Sequence, residues 1–329
     1  MNASKVDEQR ECEGALDAIS SISLTILNSL SGLASVGGNI LVLLAIYKFP
    51  RLHTTSNYFI ASLAMADFIV GLIINPIRAI KSALNIWENQ APITIAAECL
   101  SIHTIAATTF NLCAVSIDRY LAVVSVFRYS FLLTVQRCRA AIFLIWLSSI
   151  LMLVPRLFLT DPLDLPKLWI AGSVLTFIIP LSIITFCYFH IFRAAGSQAR
   201  KIRVISVRNE TERKEAANRL KERKAALTIA IIIGLFILFW SPGMILSAVQ
   251  MLIADDCLKI ELIRWWSWSA LLAFANSAVN PWVYAIRAGE FRGAFMKLFR
   301  GNHSGFNTEF SRTTAAERNT NIPPASAED

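Results

Sequence analysis

Charge is what this chain has least of. Only 16% of its 329 residues are Asp, Glu, Lys or Arg. Water-soluble domains carry about 25%, so this surface is not built mainly for water. Nucleophile triads, Gly-rich phosphate loops and Cys/His clusters with metal-ligand spacing are all missing, so no enzymatic activity is expected. A secretory leader is not expected either, because the first apolar run is too long for one and follows an acidic, polar segment. The apolar/polar alternation of membrane barrel strands does not occur. Nor is an internal repeat of transporter type evident.

What the chain has is apolar length. It is 55% hydrophobic, with a mean hydropathy of +0.53. About 20 apolar residues cross a bilayer core as a helix. Charge-free runs fall at 18–47, 52–66 (continuing past Asp67 to 77), 99–117, 140–155, 168–192, 225–254 and 265–286. The expected fold is therefore an all-α membrane protein, a bundle of seven transmembrane helices. The fourth run is the shortest that no internal charge divides, but Leu157-Phe158-Leu159 extends it if Arg156 snorkels to an interface. The expected organisation is an outer N-terminal segment (1–21), a seven-span domain with an interfacial helix (22–300) and a disordered, polar cytoplasmic tail (301–329).

Lys and Arg set the orientation. The segments after spans one, three and five, with the tail to Arg300, hold 21 basic residues, against 8 in the N-terminus and alternate loops. The N-terminus is thus expected outside and the C-terminus in the cytoplasm. The net charge of +8 is mostly this asymmetry, and no nucleic acid is expected as a partner. The connection 193–224 reads as two helix extensions around a solvated centre, Ser197 to Asn218. It suits both anionic lipid headgroups and a cytosolic partner. After Arg287, Phe291, Phe295, Leu298 and Phe299 share one face of a short helix lying in the interface. Asn2-Ala3-Ser4 is a possible glycosylation sequon on the outer side, whereas Asn209 and Asn302 face the cytosol. Cys12 and Cys257 fall on outer segments and are candidates for a disulfide that sequence alone leaves open. Cys113, Cys138 and Cys187 read as small apolar residues.

Two places concentrate polarity inside this apolar chain. Asp118 and Arg119 end the third run together. A charge deep in hydrocarbon costs about 2.5–3.5 kcal/mol on insertion scales, so paired charges at a span's end read as an interfacial device. Asp67 is a carboxylate at mid-membrane, which requires a partner inside the bundle; Thr108, Trp240, Asn276, Ser277 and Asn280 lie at comparable depth. A protonated Asp67 in an ordinary polar network is the alternative.

Taken in order, the motifs resemble the rhodopsin-like (class A) G-protein-coupled receptors over about residues 22–300. Gly38-Asn39 stands in span one, Leu63-Ala64-Met65-Ala66-Asp67 in span two and Asp118-Arg119-Tyr120 in span three. Trp146 follows in span four and Pro180 with Tyr188 in span five. Phe236, Trp240, Ser241 and Pro242 mark span six, and Asn280-Pro281-Trp282-Val283-Tyr284 mark span seven.

The resemblance implies a plasma-membrane receptor that passes ligand binding to a heterotrimeric G protein through outward movement of span six. It implies that Arg119 pairs with Asp118 and, at rest, with Glu222, and that Tyr188 and Tyr284 turn inward on activation. It further implies an allosteric Na⁺ held by Asp67, Thr108, Asn276, Ser277 and Asn280, with no cofactor otherwise required. Phe274 stands where a retinal-binding lysine belongs, so no retinal is expected. Ser101 stands where amine receptors carry their aspartate, which argues against an ion-paired monoamine. Thr94 replaces the cysteine that usually anchors the outer loop, and about 160–167 contain none. In this the chain resembles the melanocortin, lipid and cannabinoid receptor subgroup.

The ligand, whether small molecule, lipid or peptide, is left open. Its cavity is expected between Arg78, Lys81, Glu98, Ser101 and Ile105 on spans two and three and Ser173, Thr176, Met244, Ser247, Ala270 and Phe274 on spans five to seven. Arg78 and Lys81 suit an anionic head group and Glu98 a cationic one, unless each merely snorkels. His103 reads as a packed histidine, and Trp265, Trp266 and Trp268 as an outer aromatic belt. A transporter or channel, or a receptor-like scaffold that does not signal, remains as an alternative function.

Overall fold

The computed structural model describes residues 16–86, 91–158, 165–204, 210–253 and 256–299. Asn2, Cys12 and the tail from residue 301 lie outside the described residues, as do the side chains of Glu222 and Cys257. Among the described residues every regular element is helical. Six helices are long and apolar enough to cross a membrane: Ala18–Lys48, Thr55–Ala83, Pro92–Val124, Val135–Phe158, Lys167–Ala194 and Arg223–Leu252. The seventh, Asp256–Arg287, has a polar outer turn and packs along spans one and six. The expected seven-span bundle is what the chain forms.

Local chemistry sets where these helices begin. Asp17 caps span one by accepting from Ser20 N–H at 3.4 Å. The Ser20 hydroxyl foremost, then the Ser20 N–H and Arg264, hold the Asp17 carboxyl below its ordinary range. Thr54 and Thr134 cap spans two and four in the same way, each accepting at 3.3 Å from the N–H three residues on. Such caps satisfy donors that the first helical turn leaves open.

Two spans contain a wide turn whose N–H groups reach five residues back, at Val70–Ile74 and Val174–Ile178. Each ends two residues before a proline, Pro76 and Pro180. A proline has no N–H and its ring crowds the preceding turn, and a widened turn relieves that crowding. The extra residue also re-phases the helix beyond it, which turns Arg78, Lys81 and Ser82 into the protein.

Span three is the axis: 61% of its apolar window is buried, against 17% for span four. Small residues bring span one close to spans two and seven. A Cβ on Gly38 would stand 2.8 Å from the Pro281 ring, and one on Gly71 would stand 2.8 Å from Ser35 Cβ. Asn39 donates to the Ser277 carbonyl at 3.0 Å and Trp146 donates to Ser62 at 3.0 Å. The lipid-facing sides stay apolar, with Phe143, Phe158, Phe189 and Trp282 exposed.

Three expectations need correction. Spans five and six run on as helix to Val204 and from Glu210, so both helix extensions reach beyond the ends expected at Ser197 and Asn218. The segment is rich in Glu, Lys, Arg and Ala, good helix formers without an interrupting proline. Arg156 does not snorkel; it is 3% exposed and bonds Glu98. In the short helix Gly289–Phe299, Phe291 and Phe295 bury against the bundle while Phe299 stays 73% exposed.

Candidate functional site

Near the C-terminal end of span three, Asp118 and Arg119 are both buried. Arg119 Nε donates to Asp118 Oδ2 at 2.8 Å. The Ser56 hydroxyl donates to the same oxygen at 2.5 Å, and Tyr129 donates to Oδ1 at 3.0 Å. Arg119 also reaches the Ser56 hydroxyl. Burying a carboxylate without such donors is costly. Burial first, and then the Asp118 charge, push the Tyr129 phenol up from its ordinary value, so it stays a donor at neutral pH. Tyr120 sits outside this knot, against Phe186 and His190 of span five.

Ser56 and Tyr129 had no signal in the sequence: one is a serine near a helix start, the other a loop tyrosine. Only packing brings them to Asp118. Glu222 belongs to the helix Glu210–Leu252, and its side chain lies outside the described residues. One turn further on, the Ala226 carbonyl accepts from Tyr188 at 3.2 Å. Tyr284 is buried and its ring stacks on Phe291 at 5.4 Å.

In mid-membrane, Asn280 Nδ2 donates to Asp67 Oδ2 at 2.7 Å, and Asp67 is fully buried. One turn outward, Thr108, Asn276 and Ser277 line a cavity of about 10 Å³ with Trp240 and Phe274, close to what one water needs. Asp67 Oδ1, Asn276 Oδ1 and Asn280 Oδ1 have no hydrogen-bond donor among the described residues. Two orphaned amide oxygens, together with a carboxylate oxygen that also lacks a donor, fit a small hard cation. Trp240, which lines this cavity, packs on Phe236 at 5.9 Å and on Phe274 at 5.4 Å. The Pro180 carbonyl accepts the Cys113 thiol at 3.4 Å. Pro242 and Pro281 lie within their helices.

In the half of the bundle away from Asp118 and Arg119, the expected cavity residues separate. Arg78 lies under the rings of Trp266 and Phe274, 5.2 and 5.3 Å from their centroids. Trp266 donates to Ser247 at 3.0 Å, so it faces inward rather than joining the belt, whereas Trp265 is 58% exposed. Ala270 and Phe274 are buried with Val70 and Ile74. The Ser101 and Thr176 hydroxyls bond their own helices, while Ile105 borders the small cavity. Lys81 is buried within electrostatic reach of Arg78 and Glu98. Glu98, assigned above to a cationic ligand, instead bonds Arg156 at 2.7 Å. Ser173 and Met244 are half-buried. His103 packs on Trp146 at 5.7 Å, as a core histidine does. Among the described residues no His/Cys/Asp/Glu group has the makings of a transition-metal site, and Cys99, Cys113, Cys138 and Cys187 are free and buried.

A bundle of seven helices with a buried Asp-Arg pair at one end and a proline-broken polar core defines a class of membrane receptor. The model of the 7 transmembrane receptor (rhodopsin family) matches residues 38–284, and the chain belongs to that family. It is a multi-pass membrane receptor that signals through G proteins, and not an enzyme. The human histamine H2 receptor is 31% identical over 297 residues, covering 84% of this chain and 79% of the relative. The rat histamine H2 receptor is 30% identical over 312 residues, 89% and 83% of the two chains. Mouse trace amine-associated receptor 9 is 30% identical over 305 residues, 84% and 86%. These relatives lie outside the subgroup that the short outer loop resembles.

Proposed function

We propose that this receptor sits in the plasma membrane with its N-terminus outside. A ligand entering the outer half biases Trp240 and span six, and the inner end opens to a heterotrimeric G protein. The buried knot of Asp118, Arg119, Ser56 and Tyr129 carries this reading. Opposite charges held by three donors form one arrangement of a two-state element, and a partner that offers Arg119 new acceptors favours the other. Glu222, one turn before the carbonyl that Tyr188 holds, is the acid this reading assigns to the resting lock. Asp67, Thr108, Asn276, Ser277 and Asn280 are the residues that would hold Na⁺, which supplies a positive charge opposite Asp67 and favours the resting bundle.

The names of the relatives point to amines. In this chain Ser101 replaces the aspartate that an amine requires, and Glu98 is committed to Arg156. The ligand is therefore not read as an ion-paired amine. The decisive experiment measures guanine-nucleotide loading of heterotrimeric G proteins in membranes carrying the chain. Wild type is expected to raise loading, basally or on stimulation, and Arg119→Ala to abolish it at equal surface expression. Equal loading by both would overturn the reading.

A further inference from the structure

We propose that the ligand of the outer half is a small organic acid, an aromatic or apolar body carrying one negative charge, and that Arg78 holds its head group. The inference rests on the receptor reading and deepens it. Arg78 is 8% exposed, yet no hydrogen bond or ion pair joins its guanidinium to any described residue, and its Nε is sealed without an acceptor. A guanidinium brings five N–H donors in a rigid fork that matches a carboxylate. Leaving such a group buried and unmatched is costly, and it recurs where binding sites await their ligand.

The surroundings select the sign and the body of that ligand. Lys81, one turn on and also buried, adds a second positive charge. Glu98, the carboxylate whose charge reaches Lys81, is already bound to Arg156 at 2.7 Å. Trp266 and Phe274 cover the guanidinium with aromatic faces, and Ser247 fixes the Trp266 ring. A flat apolar body therefore has a platform beside the charge.

The same contacts give the ligand a route to the switch. Phe274 touches both Arg78 and Trp240. An acid that draws the guanidinium toward itself changes what Phe274 packs against, and so biases the Trp240 indole of span six. Arg78 lies inside the bundle rather than on its lipid face, and the head group it holds belongs to a soluble acid rather than to a membrane lipid.

The test uses the purified full-length receptor in neutral-lipid nanodiscs, with 1-naphthoate, the isosteric 1-naphthamide and 1-naphthylmethylamine as probes. A fragment of this size has a Kd on the order of 1 mM in a fitting site. Naphthoate is expected to raise the melting temperature in that range, while the amide and the amine leave it unchanged. Arg78→Gln is expected to weaken the effect of naphthoate at least about tenfold, and Arg78→Lys to restore part of it. The acid-amide contrast on wild type stands even if a variant fails to fold. No shift with naphthoate, an equal shift with the amide or amine, or stabilisation by phosphatidylserine in its place each overturns the proposal. Nucleotide loading by the same preparation separates this failure from failure of the receptor itself.

Discussion

Asp118 and Arg119 draw their meaning from two residues that no motif names. Ser56 and Tyr129 occupy both oxygens of Asp118, so the carboxylate can face Arg119 without leaving an acceptor unmatched. Under the proposed mechanism, loosening that anchor loosens the resting state. Tyr129→Phe removes one charge-assisted hydrogen bond, worth about 1 kcal/mol at this half-buried position, or about fivefold in the population ratio. Basal nucleotide loading is expected to rise by about that factor. Unchanged basal loading at equal expression would show that Tyr129 only packs.

At the scale of helices, small residues decide how closely the spans approach. Gly37 and Gly38 are neighbours in sequence but not in consequence. A Cβ on Gly37 meets nothing within 4 Å, whereas one on Gly38 lands 2.8 Å from the Pro281 ring. Gly37→Ala is expected to be neutral or to stabilise by up to about 1 kcal/mol, the helix-propensity difference. Gly38→Ala is expected to cost about 1–3 kcal/mol through overpacking, read as a lower melting temperature in detergent. Equal effects would sink the argument. The helices themselves were legible in the sequence because apolar length and terminal capping are local properties. Their phase was not: Pro76 and Pro180 announce a disturbance, but not that a widened turn precedes each. That turn carries Arg78 inward, where sequence left it equally able to snorkel. Glu98 and Arg156 were legible only as two separate charges, because 58 residues of chain separate them.

Across the whole molecule, Phe274 packs on both Arg78 and Trp240, and Trp240 lines the polar core and packs on Phe236. Ligand and G protein can then act on one equilibrium from opposite ends, each by its differential affinity alone. Glu222→Ala deletes the acid assigned to the resting lock and is expected to raise basal loading severalfold; a level equal to wild type would remove Glu222 from the lock. The polar core offers a sharper test, because the ion proposed for it can be withdrawn without mutation. Three orphaned acceptor oxygens, one of them on the fully buried Asp67 carboxylate, leave the core incomplete by itself. An ion that binds only the resting bundle stabilises it in proportion to ln(1 + [ion]/Kd), about tenfold in population when the ion stands about tenfold above Kd. Replacing choline chloride by sodium chloride at constant ionic strength is therefore expected to lower basal loading and raise the melting temperature. Asp67→Asn keeps the shape and removes the charge, so both sodium effects are expected to vanish while the hydrogen bond with Asn280 is preserved through the new amide. A sodium response that survives in Asp67→Asn would place the ion elsewhere and leave Asp67 as a protonated member of an ordinary polar network.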